Sequence, residues 1–257
     1  MDSPNKYERA KKLFAAVAPF AWLALLAFAV WSLGKEWGGF HLDDLDDALR
    51  RIGLWHVGMA LLLTAASLLC NASLDLVGLR WLQKDLPTGK VLGTALVAGS
   101  FSMNGGGTIL GGGAIRMRFY GQYGLGGAEI AKITGFLLIA GWLGHALLAG
   151  LMMCWAPPEL SWLPLAAGRG IGAALLVSCG AVCLLSVRGF RGTRLAFLPP
   201  WRILLASMVV SGFDWLFAGL ALRVFLPAEI STPAFLAATA LGQALGAASH
   251  VPGGLGV

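Results

Sequence analysis

The sequence predicts an all-α polytopic membrane protein, a helix bundle with two re-entrant, glycine-broken hairpins of opposite orientation. Three observations carry this. Of 257 residues, 57% are hydrophobic and only 12% charged, with a mean hydropathy of +0.74, where a soluble domain carries about 25% charge. Five apolar runs, Leu13–Leu33, Leu54–Leu74, Ala128–Met153, Pro164–Val187 and Ile203–Leu226, approach or exceed the ~20 residues that a helix needs to cross a bilayer. Lastly, glycine-rich stretches with polar neighbours interrupt otherwise greasy segments, above all "NGGGTILGGGAIRMR" from Asn104 to Arg118.

The chain reads as one transmembrane domain over residues 1–257. Its first twelve residues hold four cations and form a cytoplasmic tail. The apolar run that follows is too long for a signal peptide and lacks a small-x-small cleavage site, so it is a retained helix. Residues 34–53, "GKEWGGFHLDDLDDALRR" plus two, are net acidic and lie outside. Leu42, Leu45, Leu49 and Ile52 share a stripe opposite Asp43, Asp44, Asp46 and Asp47, which describes a short surface helix. The acidic run lacks the spacing and glycine of a calcium loop. "RWLQKDLPTGK" is the next cytoplasmic loop.

Charge then decides how the glycine stretch is used. If Val91 to about Leu110 crossed the membrane as an ordinary helix, Lys and Arg would number nine inside and ten outside. If residues 97–116 enter, break and return to the same face, the division is fourteen inside and five outside, as the positive-inside bias requires. Glycine costs ~1 kcal/mol within a helix, and broken backbone at membrane depth survives only beside protein or water. Gly105, Gly106, Gly107, Gly111, Gly112 and Gly113 are the expected break. Close helix packing through small residues is the competing use.

After a cytoplasmic loop at residues 188–202, one more helix leads outward. Residues 233–257 then re-enter from outside and break at Pro252, Gly253 and Gly254. Interrupted segments approaching from opposite faces point to a transport site between inverted halves. The last segment stops without a polar tail, an ending expected of a chain shorter than its natural form.

Few side chains are equipped for chemistry. Asp214 lies mid-span, where an ionisable group costs at least ~2.5 kcal/mol. Asp75 closes the second helix, with Asn71 one turn earlier on the same face. Its alternative use is an interfacial pair with Arg80 or Lys84. Arg116 and Arg118 follow the glycine break and read either as ligands of an anion or as snorkelling cations. Asn104, Gln243 and His250 are weaker candidates. Glu129 and Lys132 read as an i,i+3 pair. Trp31, Trp37, Trp55, Trp81, Trp155, Trp162 and Trp201 fall at expected interfaces.

Cys70, Cys154, Cys179 and Cys183 show neither CxxC nor Cys/His spacing and read as buried hydrophobes, so no metal or cofactor is expected. P-loop, GxGxxG, HExxH and GxSxG patterns are absent, and no catalytic residue is assigned. The net charge of +6 is spread over membrane-edge loops, which excludes a nucleic-acid partner.

"GGGAIRMRFYGQYGLGGAEIAKITGF" (Gly111–Phe136) and "HVPGGLGV" (His250–Val257) together resemble the membrane domain of the multiple peptide resistance factor (MprF) family, the phosphatidylglycerol lysyltransferases. The broader YbhN-like membrane proteins share the second stretch more than the first. The resemblance implies a flippase domain in the bacterial inner membrane, its N-terminus cytoplasmic. Its cargo would be aminoacylated phosphatidylglycerol, supplied by a cytoplasmic synthase domain, fused or separate, that uses aminoacyl-tRNA. It further implies resistance to cationic antimicrobial peptides and roles in translocation for Asp75, Arg116 and Asp214. The family's aromatic and carboxylate after Gly–Val, and its synthase domain, lie beyond this sequence. A small-solute or ion transporter using Asp214 and His250, and a mere anchor for an aminoacyltransferase, are the other readings. Homo-oligomerisation is compatible with all of them.

Overall fold

The computed structural model describes residues 52–102, 108, 109, 111–158, 164–187 and 199–249. Among them the chain forms seven helices and no strand: α1 (Leu54–Trp81), α2 (Thr88–Phe101), α3 (Gly113–Gly121), α4 (Gly127–Trp155), α5 (Leu165–Val187), α6 (Trp201–Arg223) and α7 (Thr232–Ser249). Residues 52–241 form one compact unit; residues 1–51 with 242–257 form another. Of the second, only the last turns of α7 are described. The tail, first span and surface helix expected before Ile52 therefore lie outside the described residues, as do Asn104–Gly107 and Pro252–Gly254.

Helices α1, α4, α5 and α6 are long and apolar enough to cross a membrane, and they coincide with four of the five expected spans. Leu61, Leu62, Leu68 and Leu69 on α1, with Val177 and Leu184 on α5, are exposed. Such a belt suits lipid rather than water. Trp55, Trp155 and Trp201 are exposed at helix ends, whereas Trp81 is half-buried and tilts against Phe136 with ring centroids 5.7 Å apart.

One boundary corrects the sequence reading. Asp75 does not close its helix, because α1 continues to Trp81 and buries Asp75 completely. The carboxylate is satisfied from the side by other helices, so the backbone has no reason to end there.

Packing is governed by small residues. Helix α4 lies against α5 and α6, and α1 lies against α6 and α2. A Cβ on Gly144 would collide with Ser211, and one on Gly172 would come within 2.9 Å of the Cys154 backbone nitrogen and of the Gly150 carbonyl. These close crossings are the membrane logic of glycine. Cys179, Leu204 and Met208 fill the junction of α4, α5 and α6, while Met153 and Ala237 join α4 to α7.

Helices α2 and α3 double back on each other. Ser102, Thr108, Ile109, Gly111 and Gly112 lie in wide π-type turns, a form common at functional sites. Gly112 itself has ordinary helical dihedrals, φ −64° and ψ −37°. What it needs is room: a Cβ there would collide with Ser102 and lie 3.2 Å from the Ala98 carbonyl. The start of α3 thus sits against the end of α2. At the opposite ends Val91 and Tyr120 share one buried cluster with Leu79, Leu125 and Ile130. The second glycine triplet therefore runs within helical backbone and into α3, and at Gly112 it serves close approach.

The loop from α3 to α4 turns through Gly124, whose φ of +81° favours glycine. Helix α4 then starts with the Gly126 N–H donating to Glu129 Oε2 at 2.9 Å, half of a capping box. Glu129 also pairs with Lys84 at 2.8 Å, a closer partner than the expected Lys132, which adds a weaker attraction. Lys84 comes from the loop between α1 and α2, which packing brings beside the start of α4.

Candidate functional site

Three polar residues of α1 fall in line. Ser67, Asn71 and Asp75 are spaced i, i+4 and i+8, which puts them on one face of the helix, about 6 Å apart per step. Their neighbours along α1 are mostly apolar, so each needs a partner from another helix or carries the cost of an unsatisfied buried group.

Asp75 finds its partners on α3. Arg116 donates through Nε to Oδ1 and through Nη2 to Oδ2, both at 2.8 Å, and the Tyr120 hydroxyl donates to Oδ1 at 2.7 Å. Arg116 and Tyr120 are one turn apart, which is why one short helix delivers both. All three side chains are buried, with Asp75 and Tyr120 at 0% exposure and Arg116 at 3%. This two-pronged geometry is the strong form of the Arg–carboxylate bond. One guanidinium nitrogen, Nη1, is buried without a hydrogen-bond partner among the described residues. It lies beside Gly112, where a Cβ would come within 2.9 Å of it.

Asp214 on α6 meets the other two residues of the stripe. Ser67 Oγ donates to its Oδ1 at 2.5 Å and Asn71 Nδ2 to its Oδ2 at 2.8 Å. Asp214 is buried, and among the described residues its only side-chain partners are these neutral donors. Opposite Asn71, Gly99 of α2 leaves space, since a Cβ there would lie 3.3 Å from Asn71 Oδ1. The two carboxylates therefore stand on the same face of α1, one neutralised by a cation and the other held by dipoles.

Behind Asp214 the helices are locked. His145 Nε2 lies 3.0 Å from the Ala240 carbonyl, and its ring meets Trp215 edge-on at 4.7 Å. Trp215 Nε1 donates to the Gly141 carbonyl at 3.2 Å. These contacts tie α4, α6 and α7 together next to the carboxylate.

The structure thus brings together Asp75, Arg116 and Asp214 of the expected site, and adds Tyr120, Ser67 and Asn71. Arg118 is exposed and does not converge with them. Asp75 pairs with Arg116 and with neither Arg80 nor Lys84, the correction following from the fold-back of α3. Gln243 is exposed on α7, and Asn104 and His250 lie outside the described residues. Sequence reasoning passed over Tyr120, Ser67 and His145. Ser67 had a signal, the i+4 step to Asn71 and Asp75; Tyr120 had its turn from Arg116.

No family model matches the chain. It is 29% identical over 192 residues to the uncharacterised protein slr0712 of Synechocystis sp., covering 71% of this chain and 60% of the relative. It is 28% identical over 159 residues to the inner membrane protein YbhN of Escherichia coli, covering 58% of this chain and 50% of the relative. The match thus spans little more than half the length of these curated relatives. These relatives support the broader YbhN-like grouping and a membrane protein of apolar helices.

Proposed function

We propose that the chain moves an aminoacylated phosphatidylglycerol, of the lysyl type, from the inner to the outer leaflet of the bacterial inner membrane. In this reading it is the flippase part of an MprF-type system, with its N-terminus cytoplasmic and a synthase domain, fused or separate, supplying the lipid. The outcome for the cell is resistance to cationic antimicrobial peptides.

The observation that carries the reading is the α1 stripe, where two buried carboxylates and one buried guanidinium lie within about 12 Å along the helix. A lysyl-phosphatidylglycerol headgroup has one phosphate and two ammonium groups. Each charge alone in hydrocarbon is expensive. A protein can lower that cost by exchanging partners. An arriving ammonium takes the place of Ser67 and Asn71 at Asp214, while phosphate and the second ammonium insert between Arg116 and Asp75. Every charge then keeps a counter-charge, and the unpartnered Arg116 Nη1 supplies an additional donor to phosphate. The fold-back of α2 and α3, read as a re-entrant hairpin, gives the headgroup a place to unload its hydration.

The test is to supply the aminoacyl lipid from a separate synthase and label outer-leaflet amines with a membrane-impermeant reagent. Asp214→Asn should abolish the outer-leaflet signal at unchanged protein and total lipid. Normal labelling with this variant would overturn the assignment.

A further inference from the structure

The face of α1 that carries Ser67 carries His56 near its start, eleven positions before Ser67 and nineteen before Asp75. At 1.5 Å per residue that is about 28 Å, close to the ~30 Å of a bilayer's hydrocarbon. There α1 meets the last turn of α6 and the chain that follows it, and an open recess of about 580 Å³ is lined by His56, Leu63, Leu220, Arg223, Leu226 and Pro227 among others. Sites for small ligands fall in this size range.

The recess is built around a fixed cation. Arg223 donates through Nη1 to the Leu226 carbonyl at 3.0 Å, and through Nη2 to Ala228 at 3.3 Å and Ile230 at 2.6 Å. These bonds close the end of α6 and hold the guanidinium in one orientation. Its partners are neutral carbonyls, and among the described residues no carboxylate pairs with it. Arg223 Nε has no hydrogen-bond partner there, and neither does Nδ1 of His56 on the facing helix. Among the described residues, a guanidinium with no paired carboxylate and an imidazole with hydrogen-bonding capacity to spare thus sit among leucine and proline walls. Beside them Leu54, Trp55 and Phe225 are exposed, the apolar and aromatic setting of a membrane interface.

We propose that this recess binds the phosphate of a phospholipid headgroup, with Arg223 as counter-charge, His56 as second hydrogen-bonding group and the leucines against the glycerol and upper acyl carbons. This rests on the lipid-translocation reading for its role, which is to hold a headgroup at the end of the bundle remote from Asp75 and Arg116. Phosphate recognition is the shared chemistry, and free phosphate is the other source of it.

The experiment titrates the full chain in detergent with dihexanoyl phosphatidylglycerol below its micelle concentration and, separately, with inorganic phosphate, by calorimetry. Arg223→Gln and His56→Gln should each weaken lipid binding about tenfold, the loss of one hydrogen bond to a charged group. Because Arg223 also closes α6, Ala228→Trp provides an independent check, filling the recess while both polar side chains and the backbone carbonyl at 228 are kept. Lipid binding that all three variants weaken, with no saturable uptake of inorganic phosphate, supports the site and names a lipid as its source. Equal, variant-sensitive binding of both supports the site and names phosphate alone. Absence of saturable binding by either probe, or binding that the three variants leave unchanged, overturns it. Outer-leaflet labelling of Asp214→Asn is read separately from this titration of the Arg223, His56 and Ala228 variants, so failure of the flippase reading and failure of this one give different results.

Discussion

At Asp75 two donors share a single carboxylate oxygen, and that oxygen shows how strongly the site depends on pairing. Breaking a buried ion pair by removing one partner costs about 3–5 kcal/mol, whereas replacing both by apolar groups is often neutral. Arg116→Gln should therefore lower unfolding stability in detergent by roughly that amount. Asp75→Leu combined with Arg116→Met should regain most of it while outer-leaflet lipid stays absent. A double variant as unstable as the single one would mean that the pair contributes fit rather than charge balance. Asp75, Arg116 and Asp214 were legible from residue type alone, because charge in an apolar run is costly wherever it ends up. Their partners were not: Arg116 is 41 positions from Asp75, and Ser67 is 147 from Asp214. Only spacing marks Ser67 and Tyr120, the i+4 steps to Asn71 and from Arg116, and spacing along one helix does not say which residue of another helix is met.

Between elements, glycine sets the separation of the helices. Gly144→Val should force α4 away from Ser211 on α6 and cost about 1–3 kcal/mol as an overpacked substitution. Gly170→Ala, with nothing within 4 Å of the added carbon, is the matched control and should be neutral or slightly stabilising. Equal unfolding midpoints for the two variants would show that the crossing relaxes freely. Four helix spans were readable to within a turn or so at most ends, since long apolar runs leave the backbone no choice but to satisfy itself as helix. The end of α1 was misplaced by two turns because a carboxylate was taken as a stop signal. The role of Gly112 was also beyond the sequence: a triplet of glycines says that space or freedom is required, and only its neighbours Ala98, Ser102 and Arg116 show that it is space.

For the molecule in its membrane, the Lys84–Glu129 pair and the doubling back of α2 and α3 put the loops at residues 82–87 and 122–126 at one end of the bundle. Glu229, after α6, is at the other. Single cysteines introduced at Gln83, Gln122 and Glu229 in a background without the native cysteines should label accordingly. An impermeant maleimide that reaches Gln122 and Glu229 from one side, and Gln83 from the other, would rule out a re-entrant α2–α3 pair.

By itself, the sequence determined that this chain lives in a membrane, where its main spans fall and which charged residues are too costly to bury without partners. Those properties follow from transfer energies, which each residue carries locally. Tertiary structure alone decided which charges neutralise one another, that Asp214 is held by neutral donors, and that Arg223, at the far end of α1, pairs with no carboxylate among the described residues. Pairing is a matter of distance between helices remote in sequence, and nothing in the order of residues encodes that distance until the bundle has packed.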